Sequence, residues 1–544
     1  MKFRAIFDND EDIEEEEFQL KPWMKTTLFF LAWTVILVCC ATIYIAKSRY
    51  IYFWDDANYW DSAREIASGS ISDGFWKNVY DSIGSMNYNY TAGLISAAFA
   101  YLFGGSRLIY VISIVLMYLI PSMVMMYALA KKLGAAPELT VAVTMLMCPF
   151  IICIAFLGFV DIGGLFICLL CYVLYFTKDG QKQSVIKSIA IGALLVLVMI
   201  WRRYYAFFAV SFITAMVADV ILFRKKWYCV LAVVATAAAL LLFCFRDFLF
   251  NILMADYGDI YSGYKYAVST DFKLITRYFG IIFLIFLAVC SVVMGIKKKE
   301  YRPVILWIQI IACASMFMAT QTHGQQHLLL YMPSVIALMA LIIKYADTTW
   351  MRAGICILAA VNTINVCIPR EQPENIRDIS HYALVPDFSA LSRTRSDIYQ
   401  ILSLKNNLDG IIGADETMGV LASSFKFNED ILKNVEPSLN LEQKRSDYIK
   451  SMPQVDSRDT DISELYAVNY MLVAYPAQTH LADGSQTVIT EAVGSFYNWT
   501  DFAAAFQEVY ECETVIDDIT IKLFKRTRDV TEPEKMQFQS RLYQ

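Results

Sequence analysis

Histidine is scarce in this chain, with four residues among 544. So few imidazoles argue against a metal centre built from histidine side chains. Cysteine is nearly missing from the polar last third, where Cys512 stands alone, although the whole chain has 13 cysteines. A disulfide framework cannot be built from one thiol, so that region must be stabilised by its own packing.

The stretch before the first apolar segment is the opposite of the basic start of a secretory signal. Residues 8–17 are strongly acidic and precede the first apolar segment. We therefore expect that segment to be retained in the membrane, with residues 1–25 forming an acidic cytoplasmic tail. Basic residues occur in short, separated loops, and this pattern does not indicate a nucleic-acid partner.

Apolar residues dominate the composition. The chain is 57% hydrophobic and 14% aromatic, with a mean hydropathy of +0.45. Long apolar segments predict a polytopic α-helical membrane protein with about eleven transmembrane helices between residues 26 and 368. The predicted spans are 26–46, 107–130, 139–157, 162–176, 185–200, 204–223, 227–245, 274–296, 303–320, 328–344 and 351–368.

Segment 90–103 is apolar but short, and we predict that it lies in the interface, within a first outer loop (48–106) of interfacial helices. With this assignment every second loop is basic, and the positive-inside rule places these loops in the cytoplasm. Their basic residues are Lys131 and Lys132; Lys178, Lys182 and Lys187; Arg224, Lys225 and Lys226; Lys297, Lys298, Lys299 and Arg302; and Lys344 and Arg352.

Residues 369–544 are more polar and predict a separate α/β domain. Runs at 467–474 and 518–524 read as strands, and runs at 393–407 and 498–506 read as helices. An odd number of spans places this domain outside the cell membrane while the N-terminus stays in the cytoplasm.

Two adjacent carboxylates, Asp55 and Asp56, follow the first span. Acidic residues at the mouth of a membrane protein indicate a functional site, whereas the alternative is a helix capped by a carboxylate. Asp161 precedes Gly163 and Gly164 at the start of another span. It is either a second acid of the site or a helix cap, and the residues alone leave both interpretations open.

Two arginines, Arg202 and Arg203, occur in a loop predicted to lie outside. Guanidinium groups bind phosphate bidentately, so the pair fits a phosphate head group; anchoring to lipid heads is an equal alternative. The polar turn Gln321–His327 contributes His323 and His327. Either histidine can donate to a phosphate, or serve only as a satisfied turn residue.

Together these features resemble the polyprenyl-phosphate-sugar glycosyltransferases of the GT-C fold, which include protein O-mannosyltransferases and the lipid A aminoarabinose transferase. The resemblance rests on Asp55-Asp56, the pattern from Tyr59 to Glu65, the interfacial segment 90–105, the span ending at Gly134, Asp161, and Tyr331-x-Pro333.

The resemblance implies catalytic roles for Asp55, Asp56 and Asp161. It implies substrate binding by Tyr59, Arg202, Arg203, Tyr204, His323 and His327. Some family members use a divalent metal ion, and whether these aspartates bind one stays open. The second acid of the pair is Asp where relatives commonly have Glu, and Asn87–Tyr90 replaces an expected basic residue and proline.

The predicted function is transfer of a sugar from a polyprenyl-phosphate carrier to an envelope glycan, lipid or protein at the outer face of the cell membrane, with inversion. One alternative is a transporter or flippase of lipid-linked sugars, which would call for paired halves and polar groups at the bilayer midplane. The halves show no repeat. A non-catalytic envelope assembly protein is a further alternative.

Overall fold

The computed structural model describes residues 21–48, 50–69, 74–84, 90–176, 184–223, 226–346, 349–368, 379–388, 395–439, 441 and 444–542. Several features used above lie outside these ranges. They are the acidic stretch 8–17, the pattern residues 87–89, Lys178, Lys182, Arg224 and Lys225.

The first two-thirds of the described chain is helical. Its α-helices are α1 Pro22–Lys47, α2 Asp55–Ser68, α3 Phe75–Gly84, α4 Leu94–Phe103, α5 Arg107–Ile114, α6 Ile120–Leu133, α7 Pro137–Met147, α8 Phe150–Phe156, α9 Asp161–Tyr175, α10 Val185–Trp201, α11 Ala206–Phe223, α12 Trp227–Ala239, α13 Arg246–Met254, α14 Tyr257–Ile260, α15 Val268–Phe279, α16 Ile281–Lys298, α17 Arg302–Thr320, α18 Met332–Lys344 and α19 Thr349–Cys367. A π-helical turn, Val115–Leu119, joins α5 to α6, and a second, Leu240–Cys244, extends α12.

Six helical segments in the described ranges are long and apolar enough to cross a membrane, and α7 with α8 forms a pair bent by 74° that could make a seventh. The six are Pro22–Lys47, Arg107–Leu133, Arg203–Phe223, Trp227–Cys244, Ile281–Lys298 and Arg302–Thr320. Five further apolar helices are shorter: Tyr90–Phe103, Asp161–Tyr175, Val185–Trp201, Met332–Lys344 and Met351–Cys367. The chain is therefore a multipass membrane protein.

One predicted span is displaced. The expected segment 274–296 begins inside α15, which ends at Phe279. Gly280 has a φ of 77°, and α16 starts directly after it. Because this backbone conformation suits glycine and breaks a helix, the polar α15 is separated from the apolar α16.

The basic turns meet at one end of the helical domain. Lys132 donates a hydrogen bond to the carbonyl of Val173, near the end of α9. Lys298 and Lys344 lie 6.0 and 5.2 Å from the ring centre of Tyr345. The start of α9 and the junction between α10 and α11 lie at the opposite end, because helices between these turns run the length of the domain.

The last third forms an α/β domain with a five-stranded sheet in the order β2-β1-β3-β5-β4. Strands β1, β2 and β3 are parallel, whereas β5 is antiparallel to both β3 and β4. Its elements are α20 Ile398–Ile411, β1 Met418–Leu421, α21 Glu429–Ser438, β2 Ile449–Lys450, α22 Glu464–Ala467, β3 Tyr470–Tyr475, α23 Thr487–Asn498, β4 Phe506–Ile516, β5 Ile519–Arg526 and α24 Glu532–Leu542.

The two predicted strands correspond to β3 and β5, but the helix expected over 498–506 is wrong. Helix α23 ends at Asn498, and Trp499 turns the backbone to a φ of 56°. Residues Asp501–Ala505 form a short 3₁₀ turn that leads into β4. Four apolar residues are buried in this turn and at the start of β4: Phe502, Ala503, Ala505 and Phe506. Their apolar composition alone therefore indicated the wrong secondary structure.

One hydrophobic core runs from the helical domain into the C-terminal domain. It includes Leu165 and Leu338 in the helices and Leu404 and Leu523 in the α/β domain. A second core, around Phe496 and Phe502, covers the other face of the sheet. Since apolar burial is the main favourable contribution to folding, the first core fastens the α/β domain onto the helical domain.

Candidate active site

Asp55 is the first residue of α2, and Asp56 is the second. Carboxylates at this position are favoured by the unpaired N–H groups at a helix N-terminus. Tyr59 and Ala63 lie on the buried face of the same helix. Asp55 keeps 26% of its side chain exposed, whereas Asp56 is buried and accepts a hydrogen bond of 2.8 Å from the Tyr50 hydroxyl. Of the pair, Asp55 is the more exposed acid.

Asp161 starts α9, and its side chain is 0% exposed. The first turn of that helix also carries two glycines, and aromatic rings lie against it. A β-carbon at Gly163 would clash with the Trp201 ring, and one at Gly164 would clash with the Tyr205 ring. The glycines therefore allow the turn after α10 to approach the helix start closely.

Arg202 lies between the two acids. Its Nη2 atom is 3.1 Å from Oδ2 of Asp55, and its Nε atom is 3.3 Å from Oδ1 of Asp161. The Tyr204 hydroxyl donates to the same Asp161 oxygen. Asp161 is thus held by an ion pair and by a hydroxyl group. A carboxylate that only capped the helix would require neither contact. Loss of Arg202 would leave a buried carboxylate uncompensated.

Aromatic rings surround this ion-pair cluster. The guanidinium carbon of Arg202 is 4.7 Å from the Tyr59 ring centre and 5.6 Å from that of Tyr204. The Tyr204 ring also contacts the His327 ring edge-on, at 4.8 Å between centres. These rings exclude water from one side of the guanidinium and strengthen its electrostatic interactions.

The two histidines of the polar turn make different contacts. The Gly324 N–H donates to Nδ1 of His327 at 2.8 Å, so the proton of the neutral ring is on Nε2. His323 is 0% exposed; its Nδ1 lies 2.6 Å from Asp271, and its Nε2 contacts the Tyr331 hydroxyl. His323 fastens the turn to α15 and α18, whereas His327 reaches the cluster.

The structure therefore brings together Tyr59, Asp55, Asp161, Arg202, Tyr204 and His327. Three candidates point elsewhere: Asp56 to Tyr50, His323 to Asp271 and Tyr331, and Arg203 to the vicinity of Tyr257. In the pairs Asp55-Asp56 and Arg202-Arg203, the first residue faces the cluster and the second does not.

Sequence reasoning missed several residues around this site. Asp271 holds His323 together with Tyr331, which the sequence showed only as part of the Tyr331-x-Pro333 pattern. Arg107, only 2% exposed, donates to the backbone carbonyl of Tyr50. An arginine at the start of an apolar helix was a visible signal for Arg107. Nothing in the sequence pointed to Asp271, because it lies on an amphipathic helix with other polar residues.

The carboxylates do not form a metal-ligand set in this arrangement, because a guanidinium bridges Asp55 and Asp161. Among the residues that the structure describes, no group of three or more His, Cys, Asp or Glu side chains is placed to hold a metal ion. Oxygen ligands for a hard cation must converge on one point, and here the two acids converge on Arg202.

Comparison with solved structures identifies similar folds. The crystal structure of ArnT from Cupriavidus metallidurans bound to undecaprenyl phosphate matches with a TM-score of 0.57 and 10% identity, over 92% of this chain and 98% of ArnT. Its apo structure matches with a TM-score of 0.53 and 10% identity over the same shares. Archaeal oligosaccharyltransferase AglB from Archaeoglobus fulgidus, in complex with an inhibitory peptide and a dolichol-phosphate, has a TM-score of 0.40 and 11% identity, over 83% of this chain and 70% of AglB.

No protein-family model and no curated relative matches the sequence. The similarity to ArnT confirms the expected GT-C fold for this chain.

The close approach at α9 predicts the effect of one substitution. Gly164→Ala should lower the free energy of unfolding by about 1–3 kcal/mol, because its methyl group would overpack against Tyr205. Thermal unfolding of the purified protein in detergent measures this change. Gly354→Ala is the matched control, since a β-carbon there meets nothing within 4 Å. Equal stability of the two variants would contradict the packing described here.

The environment of His327 predicts a pH dependence. Burial, together with the electrostatic effect of the nearby His323 and Arg202, lowers the pKa of His327 well below its usual value of 6.5. Above that usual value both folded and unfolded states are neutral; as the pH falls below it, only the unfolded state takes up the proton. Stability should therefore fall on acidification, and less so in His327→Gln.

Thermal midpoints measured between pH 7 and pH 5 test this pH dependence. His381→Gln is the control for a histidine outside the cluster: its side chain is 68% exposed and pairs with Asp387 at 2.8 Å, and this variant should stay closer to the wild-type curve than His327→Gln. If His327→Gln also follows that curve, the proposed neutral state of His327 is wrong.

Proposed function

We propose that this protein is a membrane glycosyltransferase that takes a sugar from a polyprenyl-phosphate carrier and transfers it to a cell-envelope acceptor. The observation that carries the proposal is the Asp55–Arg202–Asp161 cluster in a chain with the fold of ArnT, a protein crystallised with undecaprenyl phosphate. A partly exposed acid beside a partly buried cationic group suits a reaction in which a proton is removed and a phosphate leaves.

The proposed topology has eleven membrane crossings. It counts the six long helices, the bent pair α7 with α8, and four of the shorter apolar helices, leaving 90–103 in the interface. The basic turns then face the cytoplasm under the positive-inside rule. The cluster and the C-terminal domain face outside, where an envelope acceptor is available.

In the proposed reaction Asp55 acts as the general base. Its carboxylate accepts the proton of the acceptor hydroxyl, whose oxygen forms a bond to the anomeric carbon of the sugar. The bond from that carbon to the phosphate oxygen breaks, and the carrier phosphate leaves with the electron pair. Direct displacement of this kind inverts the anomeric centre.

Arg202 and His327 are proposed to serve the leaving phosphate. The guanidinium supplies positive charge where negative charge develops, and the neutral His327 ring supplies an Nε2–H donor. Oδ1 of Asp161 accepts hydrogen bonds from the Arg202 Nε–H and from the Tyr204 hydroxyl. These bonds hold the guanidinium in place. Tyr59 covers one face of it. This assignment favours Asp55 over Asp56 and Arg202 over Arg203.

Asp55→Asn should reduce sugar transfer by about 10²–10⁴-fold, because an amide cannot accept the proton. The assay uses purified protein, a polyprenyl-phosphate sugar and envelope extract as the acceptor source. Asp247→Asn, which removes an exposed acid on α13, is the control and should keep full activity. Wild-type rates in Asp55→Asn would rule out this residue as the base.

Substitution of the two arginines separates their roles. Arg202→Gln should weaken carrier binding by at least tenfold and lower stability, since it leaves Asp161 buried without a cation. Arg203→Gln should change the affinity little. Binding of polyprenyl phosphate to each variant, measured by its stabilisation against heat, provides the comparison. If both variants bind polyprenyl phosphate as tightly as the wild type, both arginines would be assigned to membrane anchoring.

A further inference from the structure

The backbone directly before Asp55 is in an unusual conformation. Trp54 has a φ of 53° and a ψ of −124°, although it is neither glycine nor asparagine. Bulky side chains rarely adopt positive φ, and such residues persist only where their surroundings hold them. Whatever holds Trp54 also sets the direction in which α2 begins, and with it the position of Asp55.

A carboxylate of the C-terminal domain holds this residue. The Trp54 N–H donates a hydrogen bond of 2.8 Å to Oδ2 of Asp430, which is 376 positions away in the chain. Asp430 lies in the first turn of α21, a helix capped by Asn428 through a 3.0 Å bond from the Ile431 N–H. A hydrogen bond to a charged acceptor is stronger than one between neutral groups.

Further contacts from the same domain hold the segment on both sides. The Asn434 amide donates to the Tyr52 carbonyl at 3.2 Å. The His480 ring lies over the Trp54 ring with 4.1 Å between centres and 35° between planes. The Phe425 ring contacts the Trp54 ring edge-on, with 5.0 Å between the ring centres. Residues 52–54 are therefore clamped by α21 and by the loops that follow β1 and β3.

We propose that Asp430 is a positioning residue for the candidate base, acting on Asp55 through the backbone of Trp54, so that the C-terminal domain completes the active site. The catalytic part of this inference rests on the proposed glycosyltransferase function; the structural part does not. Displacement of a reacting group by about 1 Å can cost about 10²-fold in rate. A loosened Trp54 backbone is expected to act in this way.

Three variants test the catalytic part. Asp430→Ala removes the acceptor and should lower kcat about 10²-fold with little change in the KM of the carrier-linked sugar. Asp430→Asn keeps an oxygen that accepts the same N–H and should restore most of that activity. Glu429→Ala removes the neighbouring buried acid, whose partners are Lys433 and Ser451, without touching Trp54. It should keep the wild-type kcat even if it lowers stability.

The inference is overturned if Asp430→Ala keeps wild-type kcat, if Glu429→Ala loses as much, or if Asp430→Asn shows no recovery. A loss in KM alone would also overturn it, because that result places Asp430 in donor binding.

Amide hydrogen exchange of the full-length protein separates this inference from the proposed function. In Asp430→Ala, peptides containing Trp54 and Asp55 should exchange faster than in the wild type, while Glu429→Ala leaves them unchanged. Unchanged exchange in Asp430→Ala overturns the positioning role. If wild-type protein transfers no sugar from polyprenyl-phosphate donors, the proposed function fails, and the exchange result still decides whether Asp430 holds this segment.

Discussion

One guanidinium organises the candidate site. Arg202 pairs with Asp55 and Asp161 at once, and it is the cationic partner that the structure gives to the fully buried Asp161. A buried charge without a partner is strongly destabilising, so the surrounding structure must keep Arg202 in place. The glycines of α9, the Tyr204 hydroxyl and the Tyr59 ring all meet that requirement. Folding of this end of the helical domain and assembly of the site are consequently the same event.

The sequence predicted that polar residues from distant loops would meet, because turns between spanning helices alternate between two ends of the domain. It did not predict which member of each neighbouring pair would face inward. Asp55 faces the cluster and Asp56 does not, and the same holds for Arg202 and Arg203. In α2 successive residues point in directions about 100° apart, whereas Arg202 has an extended backbone between α10 and the 3₁₀ turn Arg203–Tyr205. Which direction faces the site depends on helix rotation, which is set by packing across the whole domain.

The C-terminal domain was the least predictable part. Alternating apolar residues identified β3 and β5, but the expected helix over 498–506 is a turn and the start of β4. Its contact with the site could not have been anticipated either. The bond from Trp54 to Asp430 joins residues separated by 376 positions, and neither residue stands in a recognisable motif. Such pairings follow from the fold alone, and the shared hydrophobic core is what brings the two segments together.

That long separation has a consequence for biosynthesis. Translation and membrane insertion proceed from the N-terminus, so α2 leaves the ribosome long before Asp430 is made. Until Asp430 has been made, its carboxylate cannot accept the hydrogen bond from the Trp54 N–H, whose backbone has a positive φ. The nascent helical domain can be in the bilayer before the opening turn of α2 has the hydrogen bond from Trp54 to Asp430. Completion of the last third of the polypeptide thus supplies this bond, and a prematurely terminated chain would be inserted without the hydrogen bond to Trp54, the residue before Asp55.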